Sequence, residues 1–163
     1  MARYLQRLAA ALPGLQLRIM QSNGGQIAVD LACRSAIHTI QSGPAGGLLG
    51  AAAVARHAGF DRIISFDMGG TSTDVSLYDG GPSFTQESEI GDFPVRVPLL
   101  DIHSVGAGGG SLAWIDSAGA LRVGPQSAGA APGPVCYGAG DQITVTDANL
   151  YLGRIDPSQF LSG

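Results

Sequence analysis

The chain has 163 residues, enough for one domain with a core of its own. Glycine accounts for 25 of them, but with no G-X-Y period and 45% hydrophobic residues, collagen and disorder are both excluded. The net charge is −4, and the nine Lys and Arg are scattered, which is no nucleic-acid footprint.

Two cysteines, Cys33 and Cys136, make no disulfide framework in a chain of this size, and the pattern suits a reducing cytoplasm. Leu5, Leu8, Ala9 and Leu12 recur at helical spacing, so Tyr4 to Leu12 reads as an amphipathic helix ended by Pro13-Gly14. That break also interrupts any signal-peptide core, and no run reaches the length of a membrane span. Leu15, Leu17 and Ile19 alternate into a strand that opens on the turn Asn23-Gly24-Gly25. Ala28 to Ala36 reads as a weak helix and Ala36 to Ile40 as a short strand carrying His38, a packed or surface residue rather than a ligand. Ser42 is placed to cap a helix with Pro44 in its first turn, running to His57 and stopping at Gly59. Its alanines and glycines allow close packing, and its N-terminus offers a secondary attraction for an anion.

The centre of the chain is Ile63 to Tyr78. An apolar run ends on Asp67, then come Gly69, Gly70, Thr71, Ser72 and Thr73, then Asp74 and a second alternating run. This is the pattern of a β-hairpin with a small polar tip. Successive N–H groups at such a tip form an anion nest, with phosphate the usual guest. Two flanking carboxylates would repel a bare phosphate, so they imply a divalent cation or an oriented water. The alternative is a plain glycine-rich turn with solvated acids.

Past the turn at Asp79 to Pro82, Ser83 to Ser88 reads as a third strand antiparallel to the second, and Gly91 to Val97 as a loop or edge strand interrupted by Pro94 and Pro98. Leu99 to Val105 alternates, putting Asp101 and His103 on one side of a strand, where they form a metal pair or a base with its orienter, or a histidine held by an acid for structural reasons. The small residues of Gly106 to Ser111 imply close approach of backbone to a substrate, a phosphate or another segment. Ser111 to Ile115 and Leu121 to Val123 form a hairpin around Asp116 to Gly119. Trp114 is read as a core or interface anchor. Gly124 to Gly140 is a long ordered loop holding Cys136, to which the local sequence gives no base or positive field. From Thr144 a helix runs to Gly153, with Thr146 or Asp147 as its cap. Alternatively, Asp147 points towards Asp101 and His103 and supplies a missing ligand.

The hairpin resembles the phosphate hairpin of the actin, sugar kinase and Hsp70 ATPase superfamily. Met20 to Gly25, Ser42 to Gly47, Phe66 to Val75, Gly106 to Ser111, Ser127 to Pro134 with Cys136 to Gly138, and Thr144 to Asn149 follow the order of the hydantoinase A, 5-oxoprolinase and acetone carboxylase family. The resemblance implies an α/β fold, part of an actin-like (ribonuclease H-like) lobe with a mixed sheet and flanking helices. The whole of 1–163 would be one partial domain, with 1–60 leading in and 61–163 carrying the hairpin and site loops. It further implies ATP-dependent opening of a cyclic amide with ATP and Mg²⁺ or another divalent metal as cofactors. Gly69, Gly70, Thr71, Ser72 and Thr73 would cradle the phosphates. Asp67 would hold the metal and Asp74 would orient it or the nucleophile, while Asp101, His103 and the Gly106 to Ser111 loop would line the reaction centre, with Asp147 as a further metal ligand. The implied partners are the remaining lobes or subunits of the enzyme, including one like hydantoinase B, and a small cyclic amide, with no nucleic acid and no membrane. The chain resembles a middle segment only, lacking a second hairpin and an adenosine-binding segment. A catalytically silent interaction module, an acetone carboxylase-type subunit and, more remotely, a sugar- or acetate-kinase-like phosphotransferase stand as alternatives.

Overall fold

A computed structural model describes residues 1–86, 88–90 and 93–160. The chain divides into two compact units, the first of Met1–Ser65 with Val75–His103, the second of Phe66–Asp74 with the chain from Ser104 onward.

The first unit begins with helix α1, Ala2–Ala11, which buries Leu5 and half-buries Leu8 and Ala9, with Leu12 half-buried at its C-cap, the stripe expected from the spacing. Strands β1 (Arg18–Met20) and β2 (Gln26–Ala28) pair antiparallel with Ile19 opposite Ile27. Their turn is held by Gln21 N–H to Gly25 O at 2.8 Å and by the Asn23 side chain accepting from Gly25 N–H at 2.9 Å. Helix α2 is Val29–Arg34. Leu5, Ile27 and Ala32 form one small core, with Ile19, Val29 and Cys33 against it.

The strand expected at Ala36 to Ile40 is instead a 3-10 turn over Ala36–Thr39. Among the described residues no strand pairs with it. Its His38 carbonyl accepts from both the N–H and the hydroxyl of Ser22, and Thr39 Oγ1 donates back to Ala36 O, contacts that fix a turn. Helix α3, Ser42–His57, has Gln41 at its N-cap and no side-chain cap, so Ser42 lies inside the first turn rather than capping it. Its face Ala45, Leu48 and Ala52 packs with Tyr78 and Leu100 in the larger core of this unit. Burial of each leucine contributes on the order of 2 kcal/mol.

Strands β3 (Arg62–Met68) and β4 (Thr73–Asp79) are the expected hairpin. The next strand beside β4 is not the Ser83 to Ser88 segment. After a single bridge at Tyr78 and Pro82 the chain turns away, since proline has no N–H to continue a ladder. Phe84–Thr85 (β5) pairs instead with Leu99–Leu100 (β8), while Ser88–Ile90 (β6) pairs with Phe93–Val95 (β7). The loop or edge strand expected over Gly91 to Val97 is thus part strand, and its Gly91 and Asp92 lie outside the described residues. The neighbour of β4 is β9, His103–Val105, giving the order β3-β4-β9. Leu99 and Leu100 are both buried, so the expected run from Leu99 to Val105 is two short strands with a break at Asp101 and Ile102.

In the second unit, β10 (Ser111–Ile115) and β11 (Leu121–Ser127) pair antiparallel, with a bulge between Ser111 and Ala113. Asp116 closes their turn by accepting from the N–H groups of Ala118 and Ala120, and Arg122 Nε meets its other oxygen at 2.7 Å. Strand β11 absorbs the start of the long loop, and a 3-10 turn over Val135–Tyr137 interrupts the rest. Helix α4 is Val145–Tyr151. Its N-cap is Thr144, two positions before Thr146 and three before Asp147, the expected caps, and Asp147 completes the box from inside the helix.

Candidate functional site

The tip of the β3-β4 hairpin belongs to the second unit, and its environment is built almost wholly from backbone. Gly69 N–H closes the tip on Ser72 O at 2.9 Å. The carbonyls of Gly69 and Gly70 accept from Gly109 N–H at 2.9 Å and Gly110 N–H at 2.6 Å. The close approach implied by the small residues of Gly106 to Ser111 is therefore to another chain segment, the hairpin itself. A β-carbon on Gly108 would lie 2.7 Å from the carbonyl carbon of Gly70, and one on Gly110 would lie 2.8 Å from Gly70 O. Only glycine permits that contact.

This brace decides which way the tip faces. In a trans peptide the C=O of one residue and the N–H of the next point to opposite sides. With the Gly69 and Gly70 carbonyls drawn towards the glycine loop, the N–H groups of Gly70 and Thr71 point away from it. Among the described residues these two and Ser72 N–H have no acceptor, and Gly70 and Thr71 are exposed. Gly70 and Thr71 thus present two exposed, unpaired donors side by side, with the unpaired N–H of half-buried Ser72 next to them, an arrangement of the kind that can accept an anion.

The side chains divide into two groups. Asp67 and Thr71 are exposed and Ser72 half-buried, and the Asp67 carboxylate and both hydroxyls are without a partner among the described residues. Thr73 is buried at 2% exposure, and its hydroxyl donates to Ala107 O, so it fastens the glycine loop and is not available to a phosphate. Asp74 is half-buried and accepts from the Ser104 hydroxyl.

In the first unit, His103 Nε2 lies 3.7 Å from Asp101 Oδ1, so the two side chains leave the same side of the chain. That exceeds a hydrogen bond, and at 82% and 48% exposure the attraction is weak. Asp147 is committed elsewhere. Its carboxylate accepts from Cys136 N–H, Val135 N–H, Thr144 N–H and Thr144 Oγ1. Burial alone would push its pKa up; hydrogen bonds from the Cys136 backbone and thiol and from Thr144 outweigh that and hold it at about 2. Burial, then the hydrogen bond to Asp147 and its negative charge, push the Cys136 thiol up, which removes it as a ready thiolate. Among the described residues no three His, Cys, Asp or Glu side chains gather to hold a metal. A magnesium ion shared with phosphates needs only one or two carboxylates and keeps several waters, and Asp67 meets that smaller requirement.

Sequence reasoning did not identify Thr146 as a member of this site. Its N–H and hydroxyl both donate to Gly109 O, at 2.7 and 2.8 Å. No local pattern marks a helical threonine as the anchor of a loop 37 positions away.

The mixed α/β fold, with its hairpin, antiparallel sheets and glycine loops, is that of a segment of an actin-like ATPase lobe. It superposes on the nucleotide-free structure of acetone carboxylase with a TM-score of 0.81 at 33% identity, over 98% of this chain and 23% of that one. On the crystal structure of the ATP-dependent caprolactamase from Pseudomonas jessenii the score is 0.78 at 40% identity, over 100% of this chain and 24% of that one. The chain belongs to the hydantoinase/oxoprolinase family, whose model matches residues 1–163. Caprolactamase subunit alpha of Pseudomonas jessenii is 43% identical over 169 residues, covering 100% of this chain and 24% of that protein. The 5-oxoprolinase of Saccharomyces cerevisiae is 44% identical over 168 residues, 97% of this chain and 12% of that protein. The chain thus spans a quarter or less of these relatives. No helix among the described residues is long and apolar enough to cross a membrane.

Proposed function

We propose that this chain supplies the phosphate-binding hairpin of an ATP-dependent cyclic-amide hydrolase. The observation that carries the reading is the unpaired set of N–H groups at Gly70, Thr71 and Ser72, the first two turned outward by the glycine loop behind them, flanked by Asp67 and Asp74. ATP, when bound, supplies a phosphoryl group that makes a weakly electrophilic lactam carbonyl open to attack, and such a transfer relies on positioning and charge neutralisation. The three amides take up phosphate charge, with the Thr71 and Ser72 hydroxyls as additional donors. Asp67 holds Mg²⁺, and Asp74, steadied by Ser104, orients the cation's water or the nucleophile. Asp101 and His103 are kept as substrate-handling residues, their exposed side chains leaving the same side of the chain. The remaining lobes, a further subunit and a cytoplasmic setting complete the reading; the name "subunit alpha" on the caprolactamase relative points the same way.

Mg·ATP titrated into the ¹⁵N-labelled chain tests this. Saturable shifts of the Gly70, Thr71 and Ser72 amides, weakened in Asp67→Asn, are expected. Shifts confined to other residues would reject the hairpin as the phosphate site. A second reading, a subunit of an ATP-dependent ketone carboxylase, is favoured by the TM-score of 0.81 to acetone carboxylase. In the assembled enzyme, ATP turnover stimulated by a lactam supports hydrolysis, whereas stimulation by a ketone with bicarbonate supports the carboxylase.

A further inference from the structure

We propose that Thr146 is a positioning residue for the hairpin tip, acting through the glycine loop. This rests on the phosphate-binding reading only where ligand affinity is concerned. The path is short and wholly within the second unit. Thr146 N–H and Oγ1 both donate to Gly109 O, Gly109 N–H donates to Gly69 O, and Gly110 N–H donates to Gly70 O. The orientation of the Gly70 and Thr71 amides follows from where those two carbonyls are drawn.

A loop of glycines cannot hold its own shape, because it has the most backbone freedom to lose and no side chains to pack. Its shape is set by what it is tied to. The ties are Thr73 Oγ1 to Ala107 O at one end, Gly108 N–H to Ser111 Oγ, Ala128 N–H to Gly110 O, and Thr146 in the middle. Thr146 is the tie that bears on the residue whose N–H reaches Gly69. Helix α4 does not need this hydroxyl, since Thr144 and Asp147 already form its capping box. The hydroxyl also sits where a side chain on residue 109 would go, 2.7 Å from the β-carbon position. It therefore both selects glycine there and pins the peptide.

The test compares Thr146→Val, which keeps the shape and loses the hydroxyl, with Thr146→Ser, which keeps the hydroxyl. Native-state amide exchange at Gly109 and Gly110 is expected to quicken about fivefold in Thr146→Val, the loss of one ordinary hydrogen bond. Exchange within α4 stays as in the wild type, the Gly70 and Thr71 amide resonances move, and Thr146→Ser restores all of these. Mg·ATP affinity, read by the same amides, falls about fivefold in the valine variant and recovers in the serine one. Unchanged exchange at Gly109 and Gly110 in Thr146→Val, or a serine variant indistinguishable from valine, overturns the proposal. If the wild-type chain shows no Mg·ATP shifts at the tip, the phosphate reading fails, and the exchange comparison alone decides the role of Thr146.

Discussion

At Gly108 a β-carbon would stand 2.7 Å from the carbonyl carbon of Gly70 and 2.8 Å from both the Gly69 and Gly70 oxygens. All three are backbone atoms, which cannot rotate aside as a side-chain end would. Gly106, two positions earlier in the same loop, has nothing within 4 Å of its β-carbon position. The two residues are alike in sequence and opposite in tolerance. Gly108→Ala is expected to destabilise the chain by about 1–3 kcal/mol, the range for overpacking a filled site, while Gly106→Ala stays within about 0.5 kcal/mol of the wild type. Urea unfolding of the two variants side by side checks this, and equal losses would mean that the brace against the hairpin is not as tight as described.

Helix α4 is only seven residues long, so its stability depends on its cap and its contacts more than on propensity. Asp147 completes the cap and also takes the N–H groups of Val135 and Cys136, tying the 3-10 turn to the helix. Its folded pKa, about 2, lies below the ordinary 3.8. The carboxylate thus stabilises the folded chain fully above about pH 4, and that contribution disappears as pH falls through the folded value. Solvent screening at this partly exposed position keeps it to about 1 kcal/mol. Asp147→Asn should be less stable than the wild type at pH 6, with the gap closing towards pH 2 in a series of urea melts. A gap that does not change with pH would place the effect in packing rather than charge.

Much of this scale is legible in the sequence: the β3-β4 hairpin, the β10-β11 hairpin, and helices α1 and α3 follow from local period and turn residues. The partner of β4 is not, because pairing with His103–Val105 is a long-range choice that Pro82 only hints at negatively. Nor is the fate of Asp147. A carboxylate three positions after a threonine is compatible with both a capping box and a metal site, and only the positions of the Cys136 and Thr144 donors decide between them. For the glycine loop the sequence shows that something comes close, and the fold shows that it is the hairpin.

Taken whole, the molecule leaves large apolar side chains in the open: Ile64 at 71% exposure, Phe66 at 66%, Val54 at 72% and Tyr151 at 91%. Ile64 and Phe66 lie two apart on β3, so they emerge on the same side of that strand. Among the described residues β3 is also the outer strand of its sheet, with one row of backbone groups unpaired by any strand. An exposed apolar edge of this kind is a template for pairing with another chain. The chain spans 24% of the caprolactamase alpha subunit, and a protein of that length has ample chain to cover such an edge. A second copy of the chain can supply such cover. Sedimentation velocity at rising concentration should therefore show reversible association of the isolated chain in the micromolar range (about 8 kcal/mol). Salt should not weaken this association, because the contact is apolar rather than ionic. A double variant, Ile64→Lys with Phe66→Lys, should shift it to at least tenfold higher concentration while leaving far-ultraviolet circular dichroism unchanged, as charged residues on an edge strand oppose pairing. If the double variant associates as the wild type does, the contact lies elsewhere, and the exposed residues of α3 and α4, Val54 and Tyr151, are the next to substitute.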